Sequence, residues 1–174
     1  MGSSKALFRM SKNKQLEFPP VVCFEEYGGN FNAYFSAVYE IFKTDFILSQ
    51  PLYKGLKVSA QKHPEVDGIH RTFYHITHEG YDEQCRTPDF RRMERIRFPK
   101  FVIENSNHSD ILIWRNCRGR DTRVLLFNEI ENYLVVLTER KGYYLFWTAY
   151  LVTELHRKRK LLKEYGTYQK TKTA

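Results

Sequence analysis

The sequence predicts an α+β fold in which an antiparallel sheet of about four to six strands packs against helices. Three observations predict it. Across residues 31–48 the apolar residues Phe35, Val38, Tyr39, Phe42 and Phe46 recur at spacings of three and four, one face of a helix. Across residues 111–152 four apolar runs arrive with only short gaps between them. A basic stretch at 153–165 then reads as a closing helix. Consecutive strands joined by short turns favour antiparallel pairing, with the helices gathered on one face.

In chain order, residues 1–20 are polar and basic and end in Pro19-Pro20, an extended lead-in. Gly28-Gly29 breaks the chain, Asn30 or Asn32 caps the first helix, and Pro51 closes it. Residues 52–61 read as a short strand with Gly55 as a bulge. Residues 71–77, RTFYHIT, read as a second strand because β-branched and aromatic residues dominate them. After a loop at 81–88, Thr87 and Pro88 suit the N-cap and first position of a helix over 89–96, which Pro99 ends or interrupts. Phe101-Val-Ile-Glu is a short continuation. The four later strands are 111–116, 123–128, 133–139 and 143–152, the last two flanking the tight turn Arg140-Lys141-Gly142. From Gly166 onward the chain reads as frayed. The expected organisation is one compact domain: a lead-in and amphipathic helix over 1–50, an α+β body over 51–166 and a flexible tail over 167–174.

The chain has 174 residues and a formal net charge of +8, which fits a polyanionic partner. Its three cysteines, Cys23, Cys85 and Cys117, are scattered and form no CxxC pair. They read as free thiols of a reducing, cytoplasmic setting. No apolar run approaches the roughly 20 residues that span a bilayer, so no membrane partner is expected. Walker, GxGxxG, HExxH and GxSxG motifs are absent from the sequence, and no cofactor is expected.

Three groups of residues could carry chemistry. His75 lies with His70 and His78 in GIHRTFYHITHEG; held between apolar neighbours on a strand, it would serve as a neutral base. Three histidines so close could also ligate zinc, but the spacing fits no standard site. Arg91, Arg92 and Arg95 lie about one helical turn apart and could grip a phosphate, with Arg95 the leading candidate. Thr148 and Tyr150 are two apart, so on a strand both hydroxyls face one way. Together these groups suggest a metal-free nuclease acting on RNA, whose 2′-hydroxyl is the nucleophile. Each has a plainer reading: a core histidine, a solvated basic face, and residues favoured in strands.

These residues resemble the phage-associated branch of the barnase–EndoU–colicin–RelE-like (BECR) nucleases. The matching segments are Tyr53-Lys54-Gly55-Leu56, Phe73-Tyr74-His75-Ile76-Thr77, Arg86-Thr87-Pro88-Asp89, Arg92-Met93-Glu94-Arg95-Ile96, Tyr133-Leu-Val-Val-Leu, Thr148-Ala149-Tyr150 and Leu161-Leu162-Lys163-Glu164-Tyr165. The resemblance covers about residues 50–165. It implies a four-stranded antiparallel sheet with an RNA-cleaving site on its face. There His75 is the acid or base, Arg95 the phosphate contact, and Thr148 and Tyr150 the strand hydroxyls. Arg91, Arg92, Lys54 and Arg140 are further RNA contacts. It also implies a toxin of a phage or mobile element, with an antitoxin or immunity protein as partner. The alternative is a basic nucleic-acid- or protein-binding module of the same fold without catalysis.

Overall fold

The computed structural model describes residues 14–82 and 85–173, and the chain is α+β. Of the predicted lead-in, residues 1–13 fall outside the described residues. The remainder is tied down. Leu16 N–H donates to Asp110 Oδ2 at 2.8 Å, and the Phe18 ring packs 4.9 Å from both Phe98 and Phe101.

Helix α1, Phe31–Lys43, starts where Asn30 Oδ1 accepts from Ala33 N at 3.1 Å. A π-helical turn, Thr44–Leu48, carries it on and keeps Phe46 buried in line with Tyr34, Val38 and Phe42. Strands β1 (Leu52–Tyr53) and β2 (Leu56–Ser59) pair antiparallel around Lys54 and Gly55, at φ 49° and 78°. Two successive positive φ angles make a tight hairpin turn. Gly55 is therefore part of a turn, where the sequence predicts a bulge in one strand.

The largest departure is α2, Arg71–Thr77, a helix where a strand is expected. Its buried residues are Thr72, Phe73, Ile76 and Thr77. That spacing is one face of a helix, and tertiary burial overrides the β propensity of a seven-residue run. Side-chain hydroxyls fasten it: Thr72 Oγ1 accepts from Gln61 N at 2.7 Å, and Thr77 Oγ1 donates to Phe73 O at 2.7 Å.

A two-stranded ladder follows, β3 (His78–Glu79) with β4 (Thr87–Pro88). Thr87 and Pro88 thus belong to a strand. Asp89 is the N-cap of α3 (Phe90–Met93), accepting from Arg91 N at 2.9 Å and Arg92 N at 3.3 Å. Pro99 does not end a helix but sits in the first turn of α4, Phe98–Glu104, where its missing N–H leaves no bond unmade.

The six-stranded main sheet joins β1 and β2 to β5 (Ile111–Arg118), β6 (Asp121–Asn128), β7 (Tyr133–Arg140) and β8 (Tyr143–Leu151), in the order β1-β2-β8-β7-β6-β5. All neighbours are antiparallel except β2 and β8, which run parallel through Val58↔Tyr144 and Ser59↔Leu145. In the β7–β8 pair, Val136 faces Thr148 and Leu137 faces Phe146, so Trp147 is the extra residue of a bulge.

The sheet is covered on both faces. On one, Leu126, Val135, Leu137, Phe146 and Ala149 pack with Phe42, Phe46, Phe73 and Ile103. That cluster makes α1 a wall of the main core. On the other face Trp114, Leu125, Phe127, Leu134 and Val136 lie under α5, Leu155–Thr173. The expected one-sided helix layer is thus corrected, because Leu161, Leu162, Tyr165 and Tyr168 draw α5 onto the opposite face. The same contacts carry α5 through Gly166 to Thr173, where a frayed tail is predicted. Among the described residues no helix is long and apolar enough to cross a membrane.

Candidate functional site

Helix α5 presents Arg157, Lys160, Leu161 and Glu164 to the sheet at positions i, i+3, i+4 and i+7, one helical face. Opposite them, alternation puts Asn116 and Arg118 of β5, Arg123 and Leu125 of β6, Leu134 and Val136 of β7, and Thr148 and Tyr150 of β8 on the same side. A cavity of about 350 Å³ lies between these two walls. Its floor is apolar. Four cationic side chains and the two hydroxyls surround it.

Several of its polar atoms are constrained. Asn116 and Arg123 are direct cross-strand neighbours. Asn116 Nδ2 donates to Glu164 Oε1, joining β5 to α5. Asn116 Oδ1 and Arg123 Nε are buried and have no protein partner. The Arg123 guanidinium sits 5.1 Å from the centre of the Trp147 ring, a cation–π distance.

A second depression of about 650 Å³ shares Tyr150 and Arg157 with the first and extends over Arg91, Arg92 and Thr87. Arg92 lies 5.5 Å over the Tyr150 ring and 3.3 Å from Asp89. The two depressions adjoin around the end of β8; in the second, Glu79, Asp89 and Glu154 face the three arginines, so the excess of positive charge lies in the first.

The expected residues divide as follows. Thr148 and Tyr150 meet in the cavity, and Arg91 and Arg92 line the adjoining depression. His75 and Arg95 line neither. His75 stands on α2 with its ring 6.1 Å from Trp147, and Arg86 Nη1 lies 2.8 Å from its Nδ1. A guanidinium only donates, so Nδ1 accepts. The space beside His75 measures about 20 Å³. Arg95 is held by Arg91 O at 3.0 Å, by Glu94 and over the Phe98 ring at 5.9 Å. Its charge is felt at Tyr133, whose hydroxyl burial pushes above the usual tyrosine range while Arg95 and Arg92 pull the other way. Lys54 lies over the Tyr53 ring in the β1–β2 turn. Arg140 pairs with Asp121 at 3.0 Å and lines a separate hollow with Arg71 and Trp147.

Asn116, Arg118, Arg123 and Glu164 were not singled out by the sequence reading, and Arg157 and Lys160 were noted only as part of a basic helix. A usable signal existed for some. Arg123 is in phase with Leu125 and Phe127, so it shares their inward face. Arg157, Lys160, Leu161 and Glu164 carry a helical spacing of their own. Among the described residues no group of three His, Cys, Asp or Glu side chains could hold a metal ion. Cys23, Cys85 and Cys117 are free thiols.

The histidine cluster has a structural consequence. His78 is buried beside Tyr74, whose ring is 4.2 Å away. Burial lowers its pKa from the usual 6.5; the Tyr74 backbone opposes this and the Arg86 charge adds to it. Burial lowers His70 as well. The folded state therefore resists protons that the unfolded chain accepts. Stability is full above about pH 6.5 and falls as pH drops below that value, the histidine range. Urea denaturation at pH 7.5 and pH 5.5 should show the midpoint falling in acid. His78→Phe should reduce that fall, and an unchanged pH dependence would remove His78 from the account.

No protein-family model matches the chain, and no curated protein or solved structure matches it.

Proposed function

We propose that this domain binds single-stranded RNA along the α5 side of its sheet and cleaves it without a metal ion, as a nuclease of the BECR kind. One observation carries the reading: Arg118, Arg123, Arg157 and Lys160 surround the Thr148 and Tyr150 hydroxyls in one cavity. Cations fixed around a phosphate stabilise the charge that builds on its oxygens during attack. Glu164, a carboxylate in the same cavity, takes the proton of the 2′-hydroxyl. The 2′-oxygen then bonds to phosphorus, the P–O5′ bond breaks, and Tyr150 gives its proton to the leaving oxygen. The products are a 2′,3′-cyclic phosphate end and a 5′-hydroxyl end. The toxin role and an antitoxin partner belong to the same proposal.

The test is incubation of the purified chain with end-labelled RNA in EDTA. Cleavage to cyclic-phosphate ends is expected, with Glu164→Gln slowing it by about 10²–10⁴-fold, the usual worth of a general base. A second reading, RNA binding without catalysis, is favoured by the position of His75 and Arg95 outside the cavity. Salt-sensitive retention of RNA with no cleavage between pH 5 and pH 9 would select it.

A further inference from the structure

We propose that the hollow beside Trp147, on the α5 side of the sheet but beyond the helix itself, is a stacking platform for a base of single-stranded RNA, next to the phosphate held in the cavity. The inference rests on the reading of this face as an RNA site, and adds to it where a neighbouring base goes.

The bulge in β8 sets the hollow apart from the cavity. In a regular strand consecutive side chains point to opposite faces. The extra residue at Trp147 lets Trp147 and Thr148 share the α5 side, and bulges commonly re-aim a side chain in this way beside a functional site. Thr148 lines the cavity under α5, whereas Trp147 lines a separate hollow of about 610 Å³ with Tyr143, Leu145, Arg71 and Arg140. No described residue of α5 lines that hollow. The Arg123 guanidinium borders the cavity and lies 5.1 Å from the centre of the Trp147 ring, so this pair divides the two spaces.

The lining favours an anion that carries flat rings. Tyr143, Leu145 and Trp147 all come to the hollow from β8; Tyr143 is exposed and Trp147 half-buried. Among the described residues that line it are two arginines and no carboxylate. Asp121 Oδ1 and Glu139 O both accept from Arg140 Nη1, which fixes that guanidinium at the rim. Asp121 also offsets part of its charge, and exposed ion pairing contributes little. Stacking must therefore supply most of the affinity. Single-strand binders stack bases on aromatic side chains, and they tolerate any base because every base has a π-face. An acidic peptide has the charge for the arginines but no rings for Tyr143 and Trp147. Because Trp147 and Thr148 are consecutive, a phosphate at Thr148 and a base on Trp147 belong to the same nucleotide or to neighbours.

The experiment uses the indole as its own reporter. The chain has two tryptophans and Trp114 is 0% exposed, so quenching by a bound ligand reads Trp147. The full chain is titrated with a short 2′-O-methyl oligoadenylate, which lacks the nucleophile and stays intact, and with an abasic oligomer of the same length and charge. The oligoadenylate should quench the fluorescence and bind about fivefold or more tightly than the abasic oligomer, the worth of one stacked base. Trp147→Leu should remove most of that advantage, and the wild-type quenching decides the matter even where this variant fails to fold. Oligoadenylate that binds without quenching, or no more tightly than the abasic oligomer, overturns the stacking platform and leaves the RNA face standing. Polyglutamate that quenches as deeply as oligoadenylate assigns the hollow to an acidic protein and overturns the platform too. Oligoadenylate that does not bind overturns both readings.

Discussion

Replacing Trp114 by alanine is expected to lower the free energy of unfolding by roughly 3–5 kcal/mol, the usual loss for a large aromatic side chain removed from a core. Typical domains have about 5–15 kcal/mol in total, so this is a large share. Trp114 is 0% exposed and lies at the centre of the cluster under α5, with Leu125, Phe127, Leu134 and Val136. The Tyr165 ring meets it edge-on at 5.8 Å. No residue of α5 is itself fully buried, so the helix is fastened through partly covered side chains and depends on the surface Trp114 fills. The loss should therefore be local before it is global. Hydrogen exchange should show α5 amides opening ahead of those of β6 and β7, whose other face stays packed against α1, α2 and α4. Trp114→Phe should cost far less, because the indole Nε1 has no partner to lose. A loss below about 1 kcal/mol with α5 still protected would show that Trp114 does not anchor the helix.

What the sequence disclosed follows from the length and phase of each segment. The strands of the second half were legible because Gly119, Asn132 and Gly142, all at positive φ, separate runs long enough to show their pattern. Helix α1 was legible because five apolar residues mark its face. RTFYHIT was not: seven residues rich in Thr, Phe, Tyr and Ile fit a strand and a short buried helix equally well. That ambiguity displaced His75, whose neighbours on a helix differ from those on a strand. Thr148 and Tyr150 were placed on one face by simple alternation, which holds because the bulge at Trp147 falls just before them. The bulge itself left no mark, although it alone lets Phe146 and Ala149, three apart, face the same core. The side of the sheet that α5 takes was hidden too. Its few apolar residues are scattered among cations, so the residues it brings over the sheet escaped notice.

Reversing Arg157 and Lys160 together, to glutamate, is expected to weaken single-stranded RNA binding by on the order of 25-fold or more at 0.1 M salt. The figure comes from counterion release. Each phosphate contact on a single strand contributes a slope of about 0.7 in log affinity against log salt, or about fivefold at 0.1 M salt. Two lost contacts multiply to about 25-fold, and repulsion by the new carboxylates adds to it. Arg157 is the more informative of the pair, because it borders both depressions. Its ion pair with Glu154, at 3.3 Å, is exposed and worth little to the fold. Stability should therefore stay within about 0.5 kcal/mol of the parent, as is usual for surface changes. Lys170→Glu with Lys172→Glu makes the matching control, on exposed positions near the far end of the same helix. Each pair of reversals removes four charge units, taking the formal net charge from +8 to +4. Fluorescence anisotropy of a labelled oligomer at several salt concentrations reads both affinity and slope. If the cavity face is the RNA site, the first pair loses affinity and about 1.4 units of slope while the control loses little. Equal losses in the two would mean that the RNA responds to net charge alone, and the α5 side of the sheet would have no special claim to it.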